Sequence, residues 1–533
     1  LSMLDLNKNK DWRPVLSGIK DTMNVAAGPP RAILRDGQPM LVVPAVHFPS
    51  TTGVLALVEV RPGRPGGTIV EKGTPETRDF IIGPDGNAVA REDSGDRSGE
   101  WHLLLKGKSG FRKIYTETAL LDQPGISSFG RDEGTLVLAS HKSGEWQHYE
   151  VKVADGSVSG PTKAYDGDTV VTDPRTRTVI GTVDVKLERT DYSFFAPADQ
   201  ALWRGILKAF PGEQVKLESW SDDRKTIIVE VSGPTNGVSL FKVDRTKGRV
   251  DYLADRYAGV GPELLSPVTS YLYKAADGME IPAYLIQPRG RTAKNLPLVV
   301  LAHGGPGARD SADFYWWAQG LASRGYAVLQ PQFRGSTGFG EAHREAGYGQ
   351  WGRKMQTDLS DGVRDLVSRG IVDPKRVCIA GGSYGGYAAM AGVTLDPGVY
   401  RCASAVAGVS DLRGMLGYEV RRSGGSRNAL LRFWQRYMGA KNADDTSIDA
   451  FSPARLADRV TVPLQLIHGK DDTVVPIAQS RLMLDAMKKA GKPVEWLELA
   501  SEDHWLSRPA TRLAMLEAQV AFLEKHNPPD SAP

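Results

Sequence analysis

Gly381-Gly382-Ser383-Tyr384-Gly385 stands between an apolar segment at 376–380 and a helical pattern at 384–395, and this stretch decides the fold. A Gly-x-Ser-x-Gly turn from strand to helix needs small residues two places either side of the serine, where the chains crowd. Such a turn holds the serine hydroxyl at the edge of a sheet, with a helix N-terminus behind it. The pattern predicts that Ser383 is a nucleophile; the alternative is a glycine-rich connection with an inert serine.

The elements around this turn alternate between strands and helices. Strands are predicted at 296–303, 326–331, 376–380, 403–409, 463–468 and 494–499, with helices between them, for example at 355–368, 478–489 and 508–525. Alternation over this length predicts a doubly wound, mostly parallel sheet. We therefore expect an α/β-hydrolase domain over residues 266–533.

The first half of the chain shows a different pattern, in which short strands and turns repeat. A turn around Asp85 returns 47 positions later at Asp132, and again 90 positions further on at Asp222. Ser98-Gly99-Glu100-Trp101 recurs 45 positions later as Ser143-Gly144-Glu145-Trp146. A period near 45 with several strands per repeat is typical of a β-propeller. Residues 1–265 are therefore predicted to form an all-β propeller of five or six blades, which is short, open or truncated.

The general base is expected to follow the nucleophile and an acid, because this fold carries its triad in the order serine, acid, histidine. His303 and His343 precede Ser383 and are excluded. His504 lies in the loop between the strand at 494–499 and the final helix, whereas His526 lies at the end of that helix, where a cation facing the helix dipole is the ordinary explanation. The sequence therefore predicts His504 as the base.

The acid should follow the strand at 463–468. The loop reads His468-Gly469-Lys470-Asp471-Asp472, and on position alone either aspartate could reach the base. Asp503 is interpreted as a surface residue, because neighbours in an extended loop point apart.

Backbone donors for an oxyanion are expected near His303-Gly304-Gly305-Pro306-Gly307, at the end of the first strand of the α/β domain. A glycine-rich turn there presents N–H groups beside the nucleophile. Gly305 and Tyr384 are the predicted donors through their backbone N–H groups. His303 is interpreted as a residue that orients the loop.

Composition excludes several classes of partner. The chain has 533 residues, a formal net charge of +3 and 24% charged residues, and no block of Lys or Arg. A nucleic-acid or membrane-surface partner is not indicated. No apolar run approaches the roughly 18 residues of a membrane span. No leader pattern is visible and the chain starts at Leu1, so cytoplasm and periplasm both stay open, as does the oligomeric state.

The two cysteines, Cys378 and Cys402, both lie in apolar stretches. Two buried thiols in neighbouring strands are the favoured interpretation, and a disulfide is the alternative, since no Cys-x-x-Cys spacing occurs. Metal-site spacings of Cys and His are also absent, and no metal is expected.

The motifs of the second half together resemble the prolyl oligopeptidase family of serine peptidases, especially its bacterial acylaminoacyl-peptidase and dipeptidyl-aminopeptidase-like branch. The resemblance covers about residues 270–525. The matching residues are His303-Gly304-Gly305-Pro306, Phe333-Arg334-Gly335-Ser336-Thr337-Gly338-Phe339-Gly340, Trp351-Gly352, Gly382-Ser383-Tyr384-Gly385-Gly386-Tyr387, His468-Gly469 with Asp472 and Val475-Pro476, and Asp503-His504.

This resemblance implies the roles of the site residues. The family's acid stands four places after the histidine of its His-Gly pair, which selects Asp472, with Asp471 as the fallback. The implied activity is hydrolysis of short peptides by Ser383, Asp472 and His504, with a propeller that restricts access and without a cofactor.

Three departures limit the resemblance. The family's dipeptidyl peptidases hold a free N-terminus with a Glu-Glu pair, and this chain has none, which argues against aminodipeptidase specificity. His303 stands where some branches carry an oxyanion tyrosine, so the chain is more similar to the acylaminoacyl branch. The family's propeller usually has seven or more blades, and this one looks smaller. Three alternatives stay open: an isopeptidase that opens lasso-type peptides with the same triad, a carboxylesterase, and a binding protein with a vestigial hydrolase domain.

Overall fold

The computed structural model describes residues 2–4, 12–64, 66–233, 237–422, 425 and 428–530. The chain forms two compact units, one of Leu1–Asp184 with Tyr192–Leu202 and the other of Val185–Asp191 with Trp203–Pro533. The predicted boundary at 265/266 stays a prediction. In the described part of the chain, no helix is both long and apolar enough to span a membrane.

Five small antiparallel sheets make up the N-terminal β-propeller, which confirms the predicted architecture. A separate pair, β1 (Ser2–Leu4) and β2 (Trp12–Pro14), precedes them. The five sheets are β3–β7 (Thr22–Ala26, Arg31–Arg35, Gln38–His47, Val54–Val60, Thr68–Lys72), β8–β11 (Thr77–Ile82, Ala88–Ser94, Glu100–Gly107, Gly110–Thr118), β12–β15 (Gly125–Phe129, Thr135–Ser140, Gln147–Lys152, Val158–Thr162), β16–β18 (Thr169–Thr172, Val179–Val185, Thr190–Phe194) and, after helix α1 (Pro197–Ala209), β19–β22 (Gln214–Trp220, Thr226–Gly233, Gly237–Asp244, Arg249–Asp255).

The repeated aspartate turns occupy equivalent places in three of these sheets, between the first and the second strand. Asp85 Oδ1 accepts a hydrogen bond from Asn87 N at 2.9 Å, and Asp132 Oδ1 accepts one from Gly134 N at 2.9 Å. In the third copy the bonding residue is Asp223, one place after the predicted Asp222, and it accepts from Lys225 N at 3.0 Å. A carboxylate that bonds the N–H two residues on fixes the turn, so the repeat is a repeat of turn chemistry.

The repeat Ser-Gly-Glu-Trp does not place its two tryptophans in equivalent environments. Gly99 and Gly144 both have positive φ, at 71° and 89°, as a tight turn requires. Trp101 lies on β10 and is buried, whereas Trp146 precedes β14 and is exposed. The sequence repeat therefore fixes the turn but not the packing of the tryptophan that follows it.

The second unit contains an eight-stranded sheet in the order β23-β24-β26-β25-β27-β28-β29-β30. Pairing is antiparallel among β23, β24 and β26 and parallel from β26 through β25 to β30, so the predicted mostly parallel sheet is confirmed. The strands are β23 (Val268–Lys274), β24 (Glu280–Ile286), β25 (Leu296–Ala302), β26 (Ala327–Pro331), β27 (Val372–Gly382), β28 (Cys402–Val406), β29 (Leu464–Gly469) and β30 (Val494–Leu499).

Helices cover both faces of this sheet, as parallel strands with crossover connections require. One core holds the side chains of α4, α5 and α8, and the opposite core holds those of α2 and α9. The α-helices of this part are α2 (Trp316–Ser323), α3 (Glu341–Glu345), α4 (Lys354–Ser368), α5 (Tyr384–Thr394), α6 (Leu412–Arg422), α7 (Ala429–Met438), α8 (Ala478–Lys489) and α9 (Pro509–His526); short 3-10 turns lie at Pro262–Leu264, Thr446–Phe451, Pro453–Arg455 and Ala457–Arg459.

The two cysteines are joined in a disulfide, so the favoured interpretation of two free thiols is wrong. They do lie in neighbouring strands, as expected, and both are fully buried. The parallel register of β27 and β28 sets Cys378 directly opposite Cys402, with 4.8 Å between the Cα atoms. That separation is within the range that a disulfide bridges, and only the register could reveal it.

Candidate active site

The ends of three parallel strands bring the predicted triad residues to one edge of the sheet. Ser383 follows β27, the loop with Asp472 follows β29, and His504 lies in the loop after β30. Because β27, β28, β29 and β30 are parallel neighbours, their carboxyl ends meet at the same edge. Backbone bonds tie these ends together, from Ser383 N to Val406 O at 2.9 Å and from Ala407 N to Ile467 O at 2.9 Å.

The turn at Ser383 is sharp and strained. Ser383 has φ of 59° and ψ of −118°, and Tyr384 begins α5 immediately after it. A non-glycine residue in such a sparsely populated conformation costs of order 1–3 kcal/mol, which the surrounding structure must offset. The flanking glycines are required by space, because a Cβ on Gly385 would lie 2.0 Å from Ala302 O and one on Gly381 would lie 2.6 Å from it.

Asp472 and His504 form a direct pair. His504 Nδ1 lies 2.7 Å from Asp472 Oδ2, and both side chains are almost completely buried, with exposed fractions of 5% and 0%. A carboxylate only accepts, so Nδ1 carries a proton and the other ring nitrogen, Nε2, is left to accept one. The neighbouring Asp471 is exposed.

Backbone donors fix the other oxygen of Asp472. Its Oδ1 accepts from Val474 N at 2.8 Å and from Val475 N at 2.9 Å. Burial raises the pKa of this carboxyl, but hydrogen bonds and charge from His468 and His504 outweigh it and hold the pKa at about 2. The group is therefore an anion at neutral pH.

A second histidine contacts the same carboxylate, and sequence reasoning missed it. His468 Nε2 lies 3.2 Å from Asp472 Oδ2 and 2.9 Å from Val475 O, and its Nδ1 lies 2.7 Å from Ser480 Oγ. His468 is fully buried at the end of β29. The signal was a histidine at a strand end, four places before an aspartate. We infer that His468 keeps the loop with Asp472 in place.

The predicted oxyanion loop lies against Ser383. A Cβ on Gly304 would lie 3.4 Å from Ser383 Cβ and 4.0 Å from its Oγ. Gly305 has φ of 120°, a value that L side chains rarely adopt, so glycine is needed there. Tyr384 is the first residue of α5, and the first N–H groups of a helix have no partner inside it.

His303 holds this loop, the role predicted for it. Its Nδ1 lies 2.7 Å from Gly304 O, and because a carbonyl only accepts, Nδ1 must donate. Its Nε2 lies 2.9 Å from the hydroxyl of Ser336, and the ring stacks on Phe333 at 4.3 Å. Burial lowers the pKa of His303, which favours the neutral ring. In a trans peptide the C=O and N–H point in opposite directions, so holding Gly304 O aims Gly305 N–H away from His303.

The remaining histidines of the second unit, His343 and His526, make contacts that hold the fold together. His343 is buried, with Nε2 2.9 Å from Gln332 O. His526 is the last residue of α9 and packs on Phe522, with ring centroids 4.8 Å apart. Asp503 bonds to its own loop and not to a histidine ring, through Trp505 N at 2.9 Å and Ser507 Oγ at 2.7 Å.

Replacing His303 with alanine is expected to lower kcat about 10²–10³-fold, the scale of losing one oxyanion donor, with little change in KM. The reason is that Gly305 N–H, the predicted oxyanion donor, loses its fixed direction while Ser383 and the pair of Asp472 and His504 stay in place. His343→Ala is a matched control, since it removes a buried histidine that also bonds a carbonyl but does not contact Gly304. Steady-state kinetics with thermal unfolding of both variants would check this. Equal losses of kcat in the two variants would contradict it.

Comparison with known proteins places the chain in a family. Residues 312–528 match the prolyl oligopeptidase family. The chain is 30% identical over 480 residues to dipeptidyl aminopeptidase BIII of Pseudoxanthomonas mexicana, covering 86% of this chain and 67% of the relative. It is 33% identical over 343 residues to dipeptidyl peptidase family member 6 of Caenorhabditis elegans, covering 59% of this chain and 45% of that protein.

A solved structure shares the fold over almost the whole chain. It is a Mycobacterium tuberculosis puromycin-hydrolyzing peptidase, with a TM-score of 0.70 and 21% identity, and the match covers 98% of this chain and 82% of that one. The chain spans about two thirds of the length of the Pseudoxanthomonas mexicana relative and less than half of the Caenorhabditis elegans one. The match to the bacterial relative, together with the matched family segment, shows that this chain belongs to the prolyl oligopeptidase family of serine peptidases, hydrolases that act on peptide bonds.

Proposed function

We propose that this protein hydrolyses short peptides, with Ser383 as nucleophile, His504 as general base and Asp472 as the acid that orients it. The observation that carries the proposal is the 2.7 Å bond between His504 Nδ1 and Asp472 Oδ2, at the sheet edge where the strained turn presents Ser383. With its Nδ1 proton directed at Asp472, the imidazole can take a proton only at Nε2. That is the arrangement that activates a serine hydroxyl.

The reaction proceeds in two stages. Ser383 Oγ attacks the peptide carbonyl as His504 takes its proton, and His504 then gives that proton to the leaving amine. Water hydrolyses the resulting acyl-enzyme with His504 again as base. Asp472 stabilises the imidazolium in both stages, and its low pKa keeps it charged while it does so.

Developing negative charge on the carbonyl oxygen needs donors that are already in place. We assign this task to the backbone N–H groups of Gly305 and Tyr384. Two observations support Gly305 as a donor: Gly304 lies against Ser383, and His303 bonds to Gly304 O. The start of α5 at Tyr384 supports the second donor.

A fluorophosphonate probe and a pair of matched substrates test the proposal. The probe should label wild-type protein at Ser383, and the protein should turn over both a short peptide anilide and its matched ester. An esterase would turn over the ester alone, since an ester is intrinsically easier to cleave. Failure of the probe to label the protein would contradict the proposal and favour a binding protein.

The restriction to short peptides is tested by substrate size. If access to the site is limited, as the resemblance to the family implies, a short chromogenic peptide should have a much higher kcat/KM than casein. Casein digestion at a rate near that of the short peptide would contradict the size limit and leave the triad untouched. A lasso peptide in the same assay would identify isopeptidase activity.

A further inference from the structure

The residue after the proposed base is unusually exposed. Trp505 has 75% of its surface accessible, and its ring lies edge-on to the His504 imidazole with centroids 5.2 Å apart. Among the tryptophans whose side chains the structure describes, Trp146 is the only other exposed one, at 44%. Tryptophan carries a large apolar area that usually finds a partner, and here that area faces water beside the reacting groups.

The loop that presents Trp505 is held in one conformation. The carboxylate of Asp503 accepts from Trp505 N at 2.9 Å, from Ser507 N at 3.3 Å and from Ser507 Oγ at 2.7 Å. On the far side of the tryptophan, Leu506 is buried with φ of 53°, and Arg512 Nε donates to its carbonyl at 2.9 Å. A fixed loop lowers the entropy lost when an exposed ring binds something.

The chemistry of the triad decides which part of a substrate lies next to this ring. Asp472 occupies Nδ1 of His504, so the proton for the leaving amine comes from Nε2. That amine must come within hydrogen-bond distance of Nε2. The residue that carries the leaving amine therefore passes close to the imidazole, and a ring 5.2 Å from the imidazole is within reach of its side chain.

We propose that Trp505 forms a subsite for the first residue of the leaving fragment and favours an apolar side chain there, aromatic or branched aliphatic. This inference rests on the proposed triad and adds a specificity that the triad itself does not give. An aromatic contact gains dispersion and buries apolar area, whereas glycine or a charged side chain at this position gains neither.

Acyl transfer tests the subsite separately from the rate of acylation. A short peptide ester forms the acyl-enzyme on Ser383, and an added amino-acid amide then competes with water. The amine nitrogen attacks the acyl carbon, its proton passes through His504 Nε2 to Ser383 Oγ as the ester bond breaks, and a new amide leaves. This is the reverse of amide cleavage, so the added amino-acid amide binds where the leaving fragment of a peptide substrate would bind. The ratio of transfer to hydrolysis is independent of enzyme concentration.

Wild-type protein should transfer to phenylalaninamide or leucinamide more efficiently than to glycinamide, by about fivefold or more for an aromatic contact. Trp505→Ala should abolish most of that preference, and Trp505→Phe should keep most of it. Trp146→Ala is a matched control, because that exposed tryptophan also lies beside a histidine, His141, at 5.4 Å.

The outcomes of this experiment distinguish failure of the subsite from failure of the proposed function. An unchanged preference in Trp505→Ala, or no preference in wild type, would overturn the subsite while ester hydrolysis through Ser383 left the proposed function standing. No ester hydrolysis, or hydrolysis that survives Ser383→Ala, would overturn the proposed function and the subsite with it. Because Trp505 is 75% exposed, the alanine variant keeps the packing of the fold, and Trp505→Phe gives a second folded variant.

Discussion

Replacing Ser383 with alanine is expected to lower kcat by roughly 10⁵–10⁶, the scale that follows loss of a triad serine. The change removes only the hydroxyl. Alanine keeps the Cβ, so the strain at φ of 59° and the bond from residue 383 N to Val406 O should persist, and the fold with them. Steady-state turnover of a short peptide anilide, together with thermal unfolding, would measure both effects.

Two controls make the Ser383 result specific. Ser323→Ala removes the same hydroxyl group from an exposed serine at the end of α2 and should leave kcat unchanged. The fluorophosphonate probe should label the Ser323 variant and not the Ser383 variant. A Ser383→Ala protein that kept a tenth of the wild-type activity would end the assignment of the nucleophile.

Asp472→Asn is expected to lower kcat by about 10⁴, the scale of losing the group that sets the histidine tautomer. The contacts of Asp472 explain why. Two backbone N–H groups, from Val474 and Val475, bond one carboxylate oxygen, so the amide oxygen of an asparagine must take that place. Its NH₂ group then faces His504 Nδ1, which must become an acceptor. The ring proton moves to Nε2, where a base is needed.

Asp471→Asn should cost less than about tenfold, because that side chain is exposed and surface substitutions usually have small effects. The pH profile adds a check. The pKa of Asp472 lies at about 2, below its ordinary 3.8, so this carboxylate stays ionised above about pH 4 and protonates only as the pH falls toward 2. A loss of activity between pH 4 and 7 must come from another group. A larger effect of Asp471→Asn than of Asp472→Asn would move the acid by one residue.

The parts of the fold that local pattern specifies could be predicted from the sequence. The predicted strand at 494–499 and helix at 478–489 have the observed bounds of β30 and α8, and the turn at Ser383 lies between a strand and a helix as expected. The aspartate turns of the propeller were visible for the same reason. In each case the information lies within a few residues, in glycines, turn carboxylates and the spacing of apolar side chains.

The sequence by itself also determined the order of the site residues and their placement after strands of one sheet, since chain order and strand ends are properties of the chain. Only the tertiary structure decided which groups meet. The register of β27 against β28 joins Cys378 to Cys402, the folding of one loop turns Asp472 inward and leaves Asp471 in water, and His468 approaches the same carboxylate. The physical reason is that burial, register and hydrogen-bond direction depend on neighbours far away in sequence. Trp101 and Trp146 are the last residues of the same four-residue motif, yet only packing against other strands decides that one is buried and the other exposed.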